Sequence, residues 1–176
     1  MTGANCRRGL LLDVVTVALA PILVGASCSR EASNAKADAA ECFGKSVADV
    51  QLVAHGTDFG GWQLFATHDW QGRPYALALR AAWSESGCGN PGDGNLRSTG
   101  GGSTYHGKSL NYVYGTVSDP VRKVRVSYAG GPVQEIEPVA ASDFNLRFFV
   151  DVREATGGAT LIGLDSAGNP VPGATS

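Results

Sequence analysis

Short apolar stretches separated by turn residues run along the chain from Val50 to its last residues. In VRKVRVSY, for example, Val124, Val126 and Tyr128 alternate with Arg125 and Ser127, which is the two-residue period of a half-buried strand. The 24 glycines among 176 residues leave little room for long helices and suit short strands joined by turns. About eight such strands predict an all-β fold, an antiparallel two-layer β-sandwich.

The predicted strands follow one another at short intervals. They are VQLVAHGT, WQLFATHDW, YALALRAAW, LNYVYGTV, VRKVRVSY, PVQEIEPV, residues 145–152, TLIGLD and a final PV segment. The turn QGRP joins the second and third stretches, which predicts a hairpin between them, and the turn SAGN joins the last two.

The first 27 residues have the composition of a signal peptide. Arg7 and Arg8 precede an apolar run over residues 10–24, which ends in small residues before Cys28. This run is about 15 residues long, whereas a membrane-spanning helix needs roughly 20. The start RRGLLL resembles a twin-arginine export signal, so both that route and the general export route stay open. We therefore expect an exported protein.

The stretch VGASC resembles the lipobox of bacterial lipoproteins. The resemblance implies that cleavage before Cys28 makes this residue the N-terminus and that a lipid on its thiol anchors the protein to the extracytoplasmic face of the cell membrane. Gly25 departs from the leucine that is common three residues before that cysteine. Cleavage followed by secretion without a lipid is the alternative.

Export changes the interpretation of the cysteines. If Cys28 becomes the N-terminus, Cys42 and Cys88 are the two ordinary thiols that remain. An even pair in an oxidising compartment predicts a disulfide between them, and the alternative is two separately buried thiols.

Two regions follow the signal peptide. Residues 28–40 are small and polar, which predicts a flexible tether, with a frayed helical turn as an option for part of it; residues 41–176 are expected to form the sandwich domain. From Tyr112 onward the strand rhythm and the ending LDSAGNPV resemble the immunoglobulin-like and transthyretin-like domains of bacterial envelope proteins. That resemblance also implies a β-sandwich.

Residues 102–109, GSTYHGKS, match the phosphate-binding pattern G-x-x-x-x-G-K-[ST]. Such a loop needs a buried strand before it and a helix after it, whereas here a glycine-rich stretch precedes it and the strand-like LNYVYGTV follows. We therefore expect no nucleotide site. A net charge of −2 with both signs interspersed also argues against nucleic acid as a partner.

Neither a catalytic set nor a metal-binding set is visible in the sequence. His55, His68 and His106 are more than four residues apart, and neither Cys42 nor Cys88 has a second ligand at zinc spacing. We expect no cofactor and no metal.

The glycine-rich residues 85–109 are predicted to form a long surface loop, because eight glycines disfavour ordering. Arg97, Tyr105, His106 and Lys108 are the side chains in it that could contact a partner, and an inert connector is the alternative.

The expected function is a non-catalytic binding or structural module on the cell envelope with a protein or carbohydrate partner. The alternative is an extracellular hydrolase or metal-dependent enzyme whose residues converge only in the fold.

Overall fold

A computed structural model of the protein describes residues 26–68, 74–83, 88–89 and 94–176, with side chains from residue 34 onward except at 74–76 and 89. The predicted signal peptide therefore lies almost entirely outside the described residues. The side chain of Cys28 and residues 85–87 and 90–93 of the predicted loop lie outside them as well.

The described chain holds one α-helix and twelve strands. The helix α1 covers Ala26–Phe43, and short 3-10 turns cover Val47–Asp49 and Asp58–Gly60. The strands are β1 (Val50–Gly56), β2 (Trp62–His68), β3 (Pro74–Ala81), β4 (Cys88–Gly89), β5 (Leu96–Tyr105), β6 (Lys108–Val117), β7 (Lys123–Tyr128), β8 (Gln134–Ile136), β9 (Val139–Ala140), β10 (Arg147–Glu154), β11 (Ala159–Leu164) and β12 (Pro170–Thr175).

These strands form three antiparallel four-stranded sheets. The first sheet has the order β1-β2-β3-β4, the second β5-β6-β10-β9 and the third β12-β11-β7-β8. The prediction of an all-β antiparallel sandwich is confirmed, and so is the predicted hairpin, because β2 pairs with β3. The segment PVQEIEPV forms two short strands, β8 and β9, which join different sheets.

The second sheet lies between the other two, so we call it the middle sheet. In β6, Leu110 and Tyr114 pack in one hydrophobic cluster with side chains of the first sheet, whereas Val113 and Val117 pack in another with the third sheet. In β10, the adjacent residues Phe148 and Phe149 divide between these clusters in the same way. The sandwich therefore has a third layer beyond the two that were expected.

The prediction of a flexible tether at residues 28–40 is wrong for the backbone, which is helical from residue 26 to residue 43. Ala39 and Ala40 are buried against Phe65 and Ala78 on the outer face of the first sheet, and Ala35 packs at the edge of the same cluster. Alanine favours the helix, and the small side chains let it approach the sheet closely. Phe43 also packs in this cluster, and with the three alanines it forms the apolar face of the helix. Because Phe43 lies beyond the end of the predicted tether, this face was not recognised in the sequence.

A disulfide joins Cys42 to Cys88, as predicted, with Cα atoms 5.9 Å apart. It links the last turn of α1 to β4 at the edge of the first sheet. The helix is thereby held by packing and by a covalent bond at its C-terminal end. No helix among the described residues has both the length and the apolar character needed to cross a membrane.

The prediction of a surface loop over residues 85–109 is wrong from Leu96 onward. The chain there forms β5 and the start of β6, paired without a register shift from Leu96 opposite Val117 to Tyr105 opposite Lys108. Glycine in this hairpin allows close backbone approach: a Cβ atom on Gly100 would overlap the carbonyl oxygen of Tyr112. Gly100, Gly101 and Gly102 are therefore packed against the neighbouring strand.

Candidate functional site

The structure does not bring the four predicted contact residues together. Tyr105 and Lys108 close the β5–β6 hairpin, whose two-residue turn consists of His106 and Gly107 with positive φ angles of 50° and 80°. Arg97 lies near the opposite end of β5, eight residues or roughly 26 Å from Tyr105 along the strand. The four residues therefore do not share one surface, and contact of any of them with a partner stays a prediction.

Each of the four side chains also interacts within the fold. Lys108 Nζ forms an ion pair with Glu154 Oε2 at 2.7 Å, and Arg97 Nε donates a hydrogen bond to the Gly94 carbonyl at 3.0 Å. The rings of Tyr105 and His106 meet edge to face at 4.1 Å. These contacts stabilise the two ends of the β5–β6 hairpin.

The phosphate-loop pattern GSTYHGKS falls across this hairpin, from Gly102 in β5 to Ser109 in β6. The strand after the turn was expected from LNYVYGTV, whereas the strand before it, β5, was not. The backbone N–H groups of alternate residues here serve the β5–β6 ladder and the others point away from it, so they do not converge on one point in space.

The histidines lie apart as well. His68 stacks on Phe144 at 4.3 Å, His55 lies in β1 and His106 lies in the hairpin turn. In the described part of the chain, no group of three His, Cys, Asp or Glu residues is placed to hold a metal ion.

A cavity of about 480 Å³ opens between the middle sheet and the third sheet. Its floor consists of residues 98–102 of β5 and 111–113 of β6, and its opposite wall consists of residues 158, 159 and 161 together with Tyr128. This volume lies within the range of sites for small molecules, about 300 to 1,000 Å³.

Glycine makes this cavity. Alternate β5 residues face the third sheet, beginning with the buried Leu96, and three positions further along that face are Ser98, Gly100 and Gly102. Neither glycine has a side chain to occupy the space beneath Ala159 and Leu161. The floor therefore exposes peptide groups, next to the amide of Asn111 and the hydroxyl of Ser98.

A buried ion pair lies beside the cavity. Arg153 Nε and Nη2 donate to the two carboxylate oxygens of Asp151 at 2.7 and 2.6 Å, and the Asp151 residue is only 5% exposed. The guanidinium also donates to the carbonyl of Pro132 at 3.1 Å and to Gln134 Oε1 at 3.0 Å. Asp151 and Arg153 lie opposite Val113 and Asn111 across the β10–β6 ladder, both of which line the cavity.

Tyr128 connects the ion pair to the cavity wall. The Arg153 guanidinium carbon lies 5.0 Å from the centre of the Tyr128 ring. Burial raises the pKa of Tyr128 above its ordinary value, and the Asp151 carboxylate raises it further, with a smaller opposing effect of Arg153. The hydroxyl lies near that carboxylate but lacks the alignment of a regular hydrogen bond. Tyr128 is therefore neutral at physiological pH.

Sequence reasoning missed this site. The pattern of VRKVRVSY correctly placed Tyr128 facing inward, but the inward position of Asp151 and the cavity floor formed by β5 were not predicted. One usable signal was the alternation in β10, where Asp151 shares a face with the buried Phe149 and would need a cationic partner.

Comparison with known proteins does not place the chain in a family. No family model matches it, and no solved structure matches it significantly. Over 117 residues the chain is 26% identical to large ribosomal subunit protein uL2 of Variovorax paradoxus (strain S110), a match covering 64% of this chain and 43% of that protein. The chain thus spans less than half the length of this relative, and the likeness is too low to show membership.

Proposed function

We propose that this protein is a non-catalytic binding protein of the cell envelope, anchored by a lipid on Cys28, and that its cavity takes an uncharged polar ligand of the carbohydrate class. The observation that carries the proposal is the glycine-floored cavity between the middle and third sheets. Its size suits a short oligosaccharide segment.

The chemistry of the lining supports an uncharged ligand. The groups that face it are peptide groups, the Ser98 hydroxyl, the Asn111 amide, Tyr128 and a few aliphatic side chains, none of them charged at neutral pH. The nearest cation, Arg153, is held by Asp151, so a phosphate or nucleotide would gain no charge partner. Hydroxyl-rich ligands match such peptide and amide groups, and aromatic rings suit apolar sugar faces.

The same lining supports binding in preference to catalysis. Hydrolysis of a glycosidic bond ordinarily uses two carboxyl groups flanking that bond. Asp151, the carboxylate closest to the cavity wall, is buried and engaged by both donors of one edge of Arg153. It stabilises the wall instead of facing a substrate.

The ligand proposal is tested by titrating the purified chain with chitotriose and maltotriose, using a charged galacturonate trimer for comparison. We expect at least one neutral trimer to bind and to shift the amide resonances of residues 98–102. Gly158→Trp should abolish binding, because position 158 borders the cavity and a Cβ atom there meets no other atom within 4 Å. Thr156→Trp, in the same loop but outside the lining, is the matched control.

Two results would count against this proposal: no binding of either neutral trimer, or binding that survives Gly158→Trp. Recovery of cleaved sugar after incubation would favour the hydrolase alternative.

The anchor is tested separately with Cys28→Ala in cells. The wild-type protein should enter the detergent phase of a phase-separation extract, whereas the variant should remain unprocessed or appear in the aqueous phase. A wild-type protein found in the aqueous phase would exclude the lipid.

A further inference from the structure

The strand β5 is an edge strand that differs from the other sheet edges of the described chain. It spans ten residues and pairs only with β6, with no register shift and no proline. The other edges are interrupted or short: β1 has a bulge between Leu52 and Ala54, β12 contains Pro170 and Pro172, and β4, β8 and β9 have two or three residues. Such features prevent edge-to-edge pairing, and β5 has none of them.

Alternate residues of β5 direct their backbone groups toward this free edge. In a hairpin with a two-residue turn, the closing pair exchanges both hydrogen bonds, and hydrogen-bonded pairs then recur at every second residue. Starting from Tyr105 opposite Lys108, the odd-numbered residues of β5 bond to β6. The N–H and C=O groups of Ser98, Gly100, Gly102 and Thr104 therefore point away from the middle sheet.

The sequence of this edge is symmetric about Gly101. Residues 98–104 read STGGGST, so two small hydroxyl residues flank the three glycines on each side, with serine and threonine exchanged. Gly100, Gly102 and Thr104 are exposed, and no charged side chain lies between residues 98 and 105. An antiparallel pair of two such strands would place like residues opposite each other with no steric mismatch.

We propose that β5 pairs with β5 of a second copy of this chain, antiparallel and about a two-fold axis through Gly101. Ser98 then lies opposite Thr104 of the second copy, and Gly100 opposite its Gly102. The four outward-facing residues of each strand exchange about eight backbone hydrogen bonds in all. The two middle sheets become one continuous eight-stranded sheet with an isologous interface.

The register sets a geometric condition that no other register meets. Odd-numbered residues form the non-hydrogen-bonded pairs of the new ladder, so Thr99 lies opposite Ser103 of the second copy with Cα atoms about 4.5 Å apart. Two Thr99 residues are then four positions apart along the ladder, or roughly 13 Å. A disulfide spans Cα distances up to about 7 Å, so only the mixed pair can be bridged.

The test is disulfide trapping in the full chain with Cys6→Ser and Cys28→Ser, which removes the thiols outside the Cys42–Cys88 bond. With Thr99→Cys and Ser103→Cys in the same chain, mild oxidation should convert most of the protein to a covalent dimer on non-reducing gels. Each single cysteine variant should stay monomeric. Trapping in a single variant, or no trapping in a folded double variant, would overturn the proposed register.

Gly102→Lys in the double-cysteine chain adds a second condition. The two-fold axis brings both lysines to one face of the new sheet, so trapping should fall at least tenfold. A Cβ atom at position 102 has its nearest neighbour at 3.4 Å, and the fold should tolerate it. Thr156→Lys, at an exposed loop position outside the cavity lining, should leave trapping unchanged, and equal trapping in both variants would contradict edge pairing.

Because Ser103 also donates a hydrogen bond to the Trp83 carbonyl, a measurement on the unmodified chain is needed. The amides of Gly100 and Gly102 should become protected from hydrogen exchange as the protein concentration rises, while those of exposed turns do not change. Exchange at these two amides that is independent of concentration up to the millimolar range would exclude self-pairing. The same result is expected if the edge pairs with a strand of another protein instead.

Discussion

Asp151 and Arg153 form a buried ion pair that should matter more to stability than any exposed pair. Asp151→Asn leaves the Arg153 charge without its counter-ion in a position where the arginine side chain is only 13% exposed. We expect the free energy of unfolding to fall by about 3 kcal/mol, because an uncompensated buried charge is costly. Urea denaturation followed by circular dichroism measures this change.

Glu135→Gln is the matched control. Its carboxylate accepts a hydrogen bond from Arg125 Nη2 at 2.9 Å on the exposed face of the third sheet, where solvent screens the pair. The midpoint of denaturation should hardly move. Equal losses in the two variants would mean that the Asp151–Arg153 pair is not buried as described.

Two neighbouring glycines should respond differently to alanine. A Cβ atom on Gly100 would overlap the Tyr112 carbonyl oxygen, whereas one on Gly102 finds Asn111 Oδ1 at 3.4 Å as its nearest neighbour. Gly100→Ala should cost about 1 to 3 kcal/mol, as overpacking does, and Gly102→Ala should be close to neutral. Thermal melts of both variants measure this difference in stability. Equal melting temperatures would contradict the β5–β6 register.

At this scale the sequence predicts which side of a strand a residue faces, but not what it meets there. Alternation placed Val124, Val126 and Tyr128 inside, and all three are buried. It did not predict the contacts of Asp151. Arg153 lies on the same strand, but the Tyr128 ring that packs against this arginine comes from another sheet. Contacts between sheets depend on strand order, which side-chain period does not encode.

Among the elements, α1 depends on the Cys42–Cys88 disulfide. Replacing both cysteines by serine opens a link between residues 46 positions apart, which should lower the free energy of unfolding by about 4 kcal/mol in the chain-entropy model. The measurement is urea denaturation with and without reductant. Reductant should destabilise the wild type and leave the double variant unchanged, whereas a wild type insensitive to reductant while its thiols are shown to be free would contradict the role given to the bond.

The elements that the sequence predicted are those with a regular apolar period. The strands β1, β2, β3, β6, β7, β10 and β11 were each predicted within a few residues of their bounds. The strand β5 was missed because its three central glycines give no period, and its order comes from pairing with β6. The helix α1 was missed because alanine makes only a weak apolar stripe.

For the whole molecule, the middle sheet is the element shared by two cores. Phe148 contributes to the core beneath the first sheet and Phe149 to the core beneath the third. The sequence predicted a sandwich but not this third layer, because strand counts and spacing do not fix how strands are divided among sheets. The cavity follows from the same arrangement, since β5 forms its floor and the third sheet its opposite wall.

Amide hydrogen exchange of residues 99–103, measured by NMR on a dilute sample, tests most directly whether this glycine-rich stretch is an ordered strand. Thr99, Gly101 and Ser103 lie opposite Tyr114, Tyr112 and Leu110 and donate to β6, so their amides should exchange orders of magnitude more slowly than an unfolded chain. Gly100 and Gly102, which face the free edge, should exchange faster than these three. Uniformly fast exchange at all five residues would show a mobile loop and would contradict both the cavity floor and the middle sheet.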